Sequence, residues 1–357
     1  MVPVKGRKRM TTRRAILGAA TALAMSAMGA LPVAAQEVTL KMHQFLPAQA
    51  NVPKLILDVW ADKVEEASGD RIKIDRYPSM QLGGKPPELI DQAQDGVADI
   101  VWTVVGYTPG RFPSTEVFEL PFMMTNARAV SHAYWDMMES HWLDSEFKDF
   151  KILAGWVHGP GMFHPSDPVE TPEDLEGVKI RGGSRSVNAL LTEMGATPVG
   201  MPVPAIPEAL SKGVIDGTTI PWEVTTSLKV PELVENHTEF EGRALYTLTF
   251  VLAMNKEKYD SLPDDLQKAI DDNSGLEMSV FAGGTMADSD MPARENALDL
   301  GNNVITLDAE QTAVWRERSQ PIYDNWLADM TERGIDGQAL LDEATMLIEK
   351  YTPQYEN

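Results

Sequence analysis

Residues 175–223 constrain the fold more than any other stretch, because short apolar runs there alternate with helical segments of about ten residues. A run over 178–180 ends at Arg181, and Gly182-Gly183 follow. The pattern predicts a helix over 186–194, a second apolar run over 197–202 and a second helix over 205–212. The stretch closes with Gly213-Val214-Ile215-Asp216-Gly217 and the corner Pro221-Trp222-Glu223. Strands alternating with helices predict an α/β sheet. Ligands of such sheets sit in the crevice beyond the strand ends. Arg181 stands at such an end, and its planar guanidinium can hold a carboxylate through two parallel hydrogen bonds.

The rest of the chain extends this pattern. A strand over 38–42, the loop His43-Gln44-Phe45-Leu46-Pro47, a helix over 53–67 and a strand over 72–77 give a β-α-β opening. The helix carries Leu55, Ile56, Val59, Trp60 and Val64 at helical spacing, with Gly69 at its end. Another helix starts at Pro86 or Pro87 and reaches Asp95, before a buried strand over 100–104. The Met- and Trp-rich helices over 114–150 read as core, with Met as filler. A strand over 152–157 runs into His158-Gly159-Pro160-Gly161, where glycine and proline suit a crossing between lobes. The apolar run over 245–254 crosses back. Two crossings imply two interwoven lobes with a hinge. The expected parts are lobe I over 36–158, lobe II over 159–245, a return to lobe I over 246–300, and a short strand with C-terminal helices over 301–357. Helices over 262–298 are expected to break at Gly283-Gly284.

The motifs resemble those of a known family. Ile180-Arg181, the run from Leu191 through Gly195-Ala196-Thr197-Pro198 to Met201-Pro202, Ala209-Leu210 with Gly213-Val214-Ile215-Asp216-Gly217, and Pro221 are similar to the signature of solute-binding proteins of tripartite ATP-independent periplasmic (TRAP) transporters. Further matches are Tyr77-Pro78-Ser79-Met80-Gln81-Leu82-Gly83-Gly84, Asp95-Gly96-Val97-Ala98-Asp99, Gly110-Arg111-Phe112-Pro113 with Leu120-Pro121-Phe122, Thr171-Pro172-Glu173-Asp174-Leu175-Glu176-Gly177, and Met254-Asn255-Lys256 with Leu262-Pro263. Their order and spacing cover nearly the whole chain after residue 35. The resemblance implies a two-lobe periplasmic-binding-protein fold with hinge strands and a long bracing helix within 262–298. It implies that Arg181 holds a substrate carboxylate, and that small and large membrane subunits take up the ligand on an ion gradient. Monomer is the default, although some relatives dimerise through C-terminal helices.

Two departures from the family pattern bear on the ligand. Ile220 stands where members that bind sialic acid or four-carbon dicarboxylates carry a polar Asn, and Gly161 stands where the sialic-acid branch carries a second arginine. Fewer donors imply a ligand with one acidic end. Ile220, Trp222, Trp102, Tyr107 and Phe163 point to an aromatic or apolar monocarboxylate.

Residues 1–35 read as an export leader. Lys5, Arg7, Lys8, Arg9, Arg13 and Arg14 precede an apolar run over 15–31, and Val33-Ala34-Ala35 supplies small residues for cleavage before Gln36. The apolar run is short and rich in Ala and Gly, unlike a membrane span. Thr12-Arg13-Arg14 resembles a twin-arginine signal with Ile16 in place of Phe, so twin-arginine and ordinary secretory export both stay open. A periplasmic location follows. Without the six basic residues of the leader, 25 basic face 53 acidic residues, a net charge of −28. That excludes nucleic acid and anionic membrane surfaces as partners. With no cysteine, disulfides, thiol nucleophiles and zinc-thiolate sites are excluded too.

The expected ligand-binding set is Arg181, His43, Gln44, Trp102, Thr103, Tyr107, His164, Ile220 and Trp222. The alternative for each aromatic is a place in the core, and for His43, Gln44 and His164 a structural hydrogen bond. His164 could add pH sensitivity. Glu223 reads as a helix N-terminal charge. No catalytic residue, metal site or cofactor is expected. The chain has no G-x-S-x-G, Walker, Rossmann or H-E-x-x-H motif, and Glu65-Glu66, Asp264-Asp265 and Asp271-Asp272 fall on polar helical faces. The alternatives are a binding protein for another transporter or a sensor kinase and, more remotely, a secreted hydrolase or isomerase.

Overall fold

The computed structural model describes residues 1–4, 6 and 37–356, so the expected leader lies almost wholly outside the described residues. Gln36–Asn357 form one unit. Its strands make two sheets. The first runs Ile72–Tyr77, Val38–His43, Ile100–Val104, Thr249–Asn255, Phe150–Val157. Its central strands Ile100–Val104 (IVWTV) and Thr249–Asn255 (TFVLAMN) are buried at every position. Such continuous apolar runs form only where both sheet faces are covered. The second sheet runs Asn303–Leu307, Asn236–Phe240, Met162–Pro165, Gly217–Ile220, Lys179–Gly182, Thr197–Gly200. The architecture is the expected α/β fold in two lobes.

The two expected crossings run side by side. Gly161 N–H donates to Tyr246 O at 3.0 Å. Thr247 Oγ1 donates to His158 O at 2.9 Å, and Leu248 N–H donates to His158 Nε2 at 3.1 Å. A third crossing lies between two consecutive helices. Leu276–Asp288 packs on Phe150–Val157 and on the helix Ala127–Met137, whereas Asp290–Asp299 packs on the lobe II helix Trp222–Leu228.

The region 262–298 therefore contains three helices, and its break differs from the expectation. Gly283-Gly284 lie inside the helix Leu276–Asp288; the bend falls at Ser289. A Cβ on Gly283 would overlap Ser131 Oγ, and one on Gly284 would press on the Arg128 guanidinium. These glycines admit a neighbouring helix at close range and do not interrupt their own. The longest helix, Ala309–Glu332, opens with an Asp308–Gln311 capping box. It packs on the lobe II helix Arg185–Glu193 and on the lobe I turn Pro113–Glu119, and so adds a second brace. No helix among the described residues is long and apolar enough to cross a membrane.

Candidate functional site

A cavity lies between the sheets. Lobe I contributes Phe45, Leu46, Trp102, Val104 and Tyr107. Lobe II contributes Arg181, Val203, Ile220, Pro221, Glu223 and Val224, the crossings contribute His158, Tyr246 and Leu248, and the returning lobe I strand Thr249–Asn255 contributes Phe250. Met286 of the bracing helix completes the lining.

The lobe I side is an aromatic wall. The Phe45 and Trp102 rings stack with centroids 4.5 Å apart, and Trp102 stacks on Phe250 at 5.3 Å. Trp156 lies behind at 6.3 Å, nearly parallel to Trp102. Such stacks hold each ring in one orientation and present a flat apolar face. Trp102 Nε1 is buried and has no hydrogen-bond partner among the described residues.

The lobe II side carries the charge. Arg181 ends the strand Lys179–Gly182 and is 1% exposed. Its Nε donates to Met201 O at 2.9 Å and its Nη1 to Thr219 O at 3.1 Å. Two main-chain carbonyls thus fix the guanidinium plane. Gly183 leaves the space for it, since a Cβ there would sit 3.2 Å from both terminal nitrogens. Nη2 is buried with no hydrogen-bond partner, and no carboxylate among the described residues pairs with Arg181. A buried cation without an anion is costly, so this arrangement favours an anionic ligand.

Contacts between the lobes enclose the cavity. Tyr107 Oη accepts from Val203 N–H at 2.9 Å, and Asn51 Nδ2 donates to Glu223 O at 3.1 Å. Arg185 pairs with Glu116 at 2.6 Å and with Asp329 at 2.8 Å. Burial raises the Tyr107 phenol, with the Arg181 charge opposing. Burial and the neighbouring Asp290 push Glu223 up to about 8. Asp290 accepts the Glu223 N–H at 2.8 Å and is itself pushed up to about 7 by burial. Burial lowers His158 to about 4. It is a neutral imidazole whose Nδ1 donates to Gly159 O and whose Nε2 accepts from Leu248.

Of the nine residues expected from sequence, Arg181, Trp102, Tyr107 and Ile220 line the cavity and the other five do not. His43 binds Gln92 Oε1 at 2.6 Å and accepts from Leu82 N–H at 3.3 Å. Gln44 bonds both the N–H and the carbonyl of Leu46, which tightens the turn and leaves Phe45 and Leu46 to reach the cavity. Thr103 lies between Trp102 and Val104, and strand alternation turns it to the opposite face. His164 is buried against His237 at 2.7 Å and donates to Ile220 O at 3.1 Å, behind the cavity wall. Trp222 donates to Glu239 at 3.1 Å, facing a separate groove. Phe163 packs with Phe240 and Trp315, also away from the cavity.

Sequence reasoning missed Tyr246, Phe45, Phe250, Leu248 and His158, and it read Glu223 only as a helix-terminal charge. Glu223 does open the helix Trp222–Leu228, yet its side chain also lines the cavity. The available signal was the pair of Gly-rich and apolar connectors, because residues at a crossing lie between the lobes.

The family model for "Bacterial extracellular solute-binding protein, family 7" matches residues 44–329. A TRAP solute-binding protein from Rhodoferax ferrireducens, solved with copurified benzoate, is 51% identical with a TM-score of 0.87, covering 88% of this chain and 99% of that one. A marine-metagenome TRAP solute-binding protein described as specific for aromatic acids, solved with metahydroxyphenylacetate, is 46% identical with a TM-score of 0.86 and the same coverage. The C4-dicarboxylate-binding periplasmic protein DctP of Rhodobacter capsulatus is 26% identical over 341 residues, 94% of this chain and 99% of that one.

Proposed function

The chain belongs to the bacterial extracellular solute-binding proteins of family 7 and serves a TRAP transporter, and from that premise we propose that it captures an aromatic monocarboxylate in the periplasm. The family model and the similar structures are of solute-binding proteins, two of them of TRAP systems with aromatic acids bound. Under this reading export removes the leader near Ala35, the ligand is held stoichiometrically, and the closed lobes deliver it to the small and large membrane subunits for ion-gradient-driven uptake.

One observation carries the reading. A single buried guanidinium with an unpartnered Nη2 shares a cavity with stacked Phe45, Trp102 and Phe250. The arginine takes the carboxylate, and the ring slides between the aromatic wall and Ile220 with Val224. Closure strengthens the ion pair by excluding water. Benzoate and metahydroxyphenylacetate in the similar structures are ligands of this chemistry. A four-carbon dicarboxylate, the ligand named for DctP, would bring a second charge to a site lined by one cation, Arg181.

A thermal-shift panel of benzoate, 3-hydroxybenzoate, mandelate and succinate tests this. A ligand at about 100 times its Kd adds roughly 2.7 kcal/mol of stability. Shifts with the aromatic acids that disappear in Arg181→Ala are expected. A shift with succinate alone would refute the ligand class.

A further inference from the structure

We infer that Tyr246 is a second anchor for the ligand carboxylate, its phenol O–H donating to one oxygen while Arg181 Nη2 donates to the other. The inference rests on the reading of Arg181 as the carboxylate anchor, but not on the ligand being aromatic.

Tyr246 lines the cavity from the crossing between the lobes and is 1% exposed. Its hydroxyl is buried with no hydrogen-bond partner among the described residues. The neighbouring Thr219 hydroxyl gives its own hydrogen to Arg181 O at 3.1 Å, so toward Tyr246 it can act only as an acceptor, and it makes no hydrogen bond of proper geometry there. Buried hydroxyls without partners are rare and costly. In the same cavity Arg181 Nη2 is the other buried donor left over on the lobe II side. A carboxylate has two oxygens, so one such ligand satisfies both. Both residues line this one cavity, and Thr219, beside Tyr246, is hydrogen-bonded to Arg181. Burial raises the Tyr246 phenol to about 12, so it stays a neutral donor at physiological pH.

The backbone holds Tyr246 in this position. Gly161 N–H donates to Tyr246 O, and a Cβ on Gly161 would overlap the tyrosine ring. The His158 ring packs edge-on at 5.6 Å. The glycine in one connector therefore determines where the phenol of the other points. A site with one cation and one neutral donor suits a singly charged carboxylate better than a dianion, because the second charge would be buried unpaired.

Tyr246→Phe keeps the ring and removes the hydroxyl. Losing a hydrogen bond to a charged group weakens binding by about ten- to a hundredfold. We expect that loss for benzoate by titration calorimetry, with the melting point of the ligand-free protein nearly unchanged, since the hydroxyl has no hydrogen bond of proper geometry to lose among the described residues. Gly161→Ala, which displaces the ring, should weaken benzoate in wild type and have little further effect in Tyr246→Phe. Benzoate affinity within twofold of wild type in Tyr246→Phe would overturn the inference, as would a melting point several degrees lower without ligand. If wild type binds succinate and not benzoate, the ligand-class reading fails, and the same comparison made with succinate still decides the role of Tyr246. Wild type that binds neither acid overturns both readings.

Discussion

The two sides of the cavity are built by different rules. Lobe I offers Phe45, Trp102 and Phe250, rings locked by stacking and needing nothing from the ligand but a flat surface. Lobe II offers Arg181, held by the carbonyls of Met201 and Thr219 and still short of a partner at Nη2. The first side leaves one neutral donor unpaired, Trp102 Nε1; the second leaves a charged one. Charge and orientation should therefore be decided on lobe II, and the class of side group on lobe I. Closure joins them through Tyr107–Val203 and Asn51–Glu223.

Removing the charge tests this comparison most severely. Arg181→Ala should weaken benzoate by tens- to thousands-fold, because truncating one partner of a desolvated ion pair costs about 2–5 kcal/mol. The same variant should change the ligand-free melting point much less, because relief of a buried cation offsets the loss of its hydrogen bonds to Met201 O and Thr219 O. Calorimetry with a melting curve reads both. Tight binding with a lowered melting point would make Arg181 a structural residue and dissolve the contrast.

The aromatic side should respond more mildly and more selectively. Phe45→Ala strips one face of the stack and should cost about tenfold for benzoate, from lost stacking of roughly 0.5–1.5 kcal/mol plus buried area. For acetate, which has no ring, the same variant should cost little. Equal losses for both acids would show that Phe45 shapes the whole cleft and does not hold a ring.

Much of this contrast was legible in the sequence, and unevenly so. Arg181 could be found because a strand end followed by two glycines is a local pattern, and Gly183 does clear space for the guanidinium. Trp102 could be found near the end of a strand read from its apolar run, and Ile220 from its place beside Pro221 in the family pattern. His43 and Gln44 were expected at a strand end, and the strand does end there. One residue decided which side chains entered the cavity: Gln44 spends its amide on Leu46, and the turn delivers Phe45 instead. His164 and Trp222 belong to an aromatic and imidazole cluster with His237 behind the wall, a packing choice that no spacing reveals. Tyr246 could be seen only once Gly161 lay across from it, because the two are 85 residues apart in sequence and meet at a crossing. The bend at Ser289 was likewise hidden, since glycine inside a helix can signal close packing as readily as a break.

The contact that joins the two sides should matter less than either. Tyr107→Phe deletes the acceptor for Val203 N–H, and a hydrogen bond of this kind contributes about 1 kcal/mol, or about fivefold in affinity. If the contrast holds, the loss is equal for benzoate and acetate, because Tyr107 acts on closure. A loss confined to benzoate would move Tyr107 onto the aromatic side of the comparison.

The last effect is on pH dependence, and it draws on both sides: raised carboxyls lie on lobe II and its brace, and one lies in lobe I. Glu223 is pushed up to about 8 and Asp290 to about 7. A carboxyl raised on folding stabilises fully below its unfolded value, and that contribution is lost as pH climbs through the folded value. His158, lowered to about 4, works the other way: its contribution is complete above its unfolded value near 6.5 and is lost as pH falls toward 4. Between pH 6.5 and 8.5 only the carboxyls act, so ligand-free stability should fall across that window. Glu119, pushed up to about 7 by burial in lobe I near Thr249, adds to the same slope. For Glu223 the decline amounts to about 2 kcal/mol, roughly 3 °C in a chain of this size. Glu223→Gln should flatten the melting-point slope over that window and leave the Glu119 share. An unchanged slope would mean that Glu223 is solvated in the open protein, so that its burial comes with closure and not with folding.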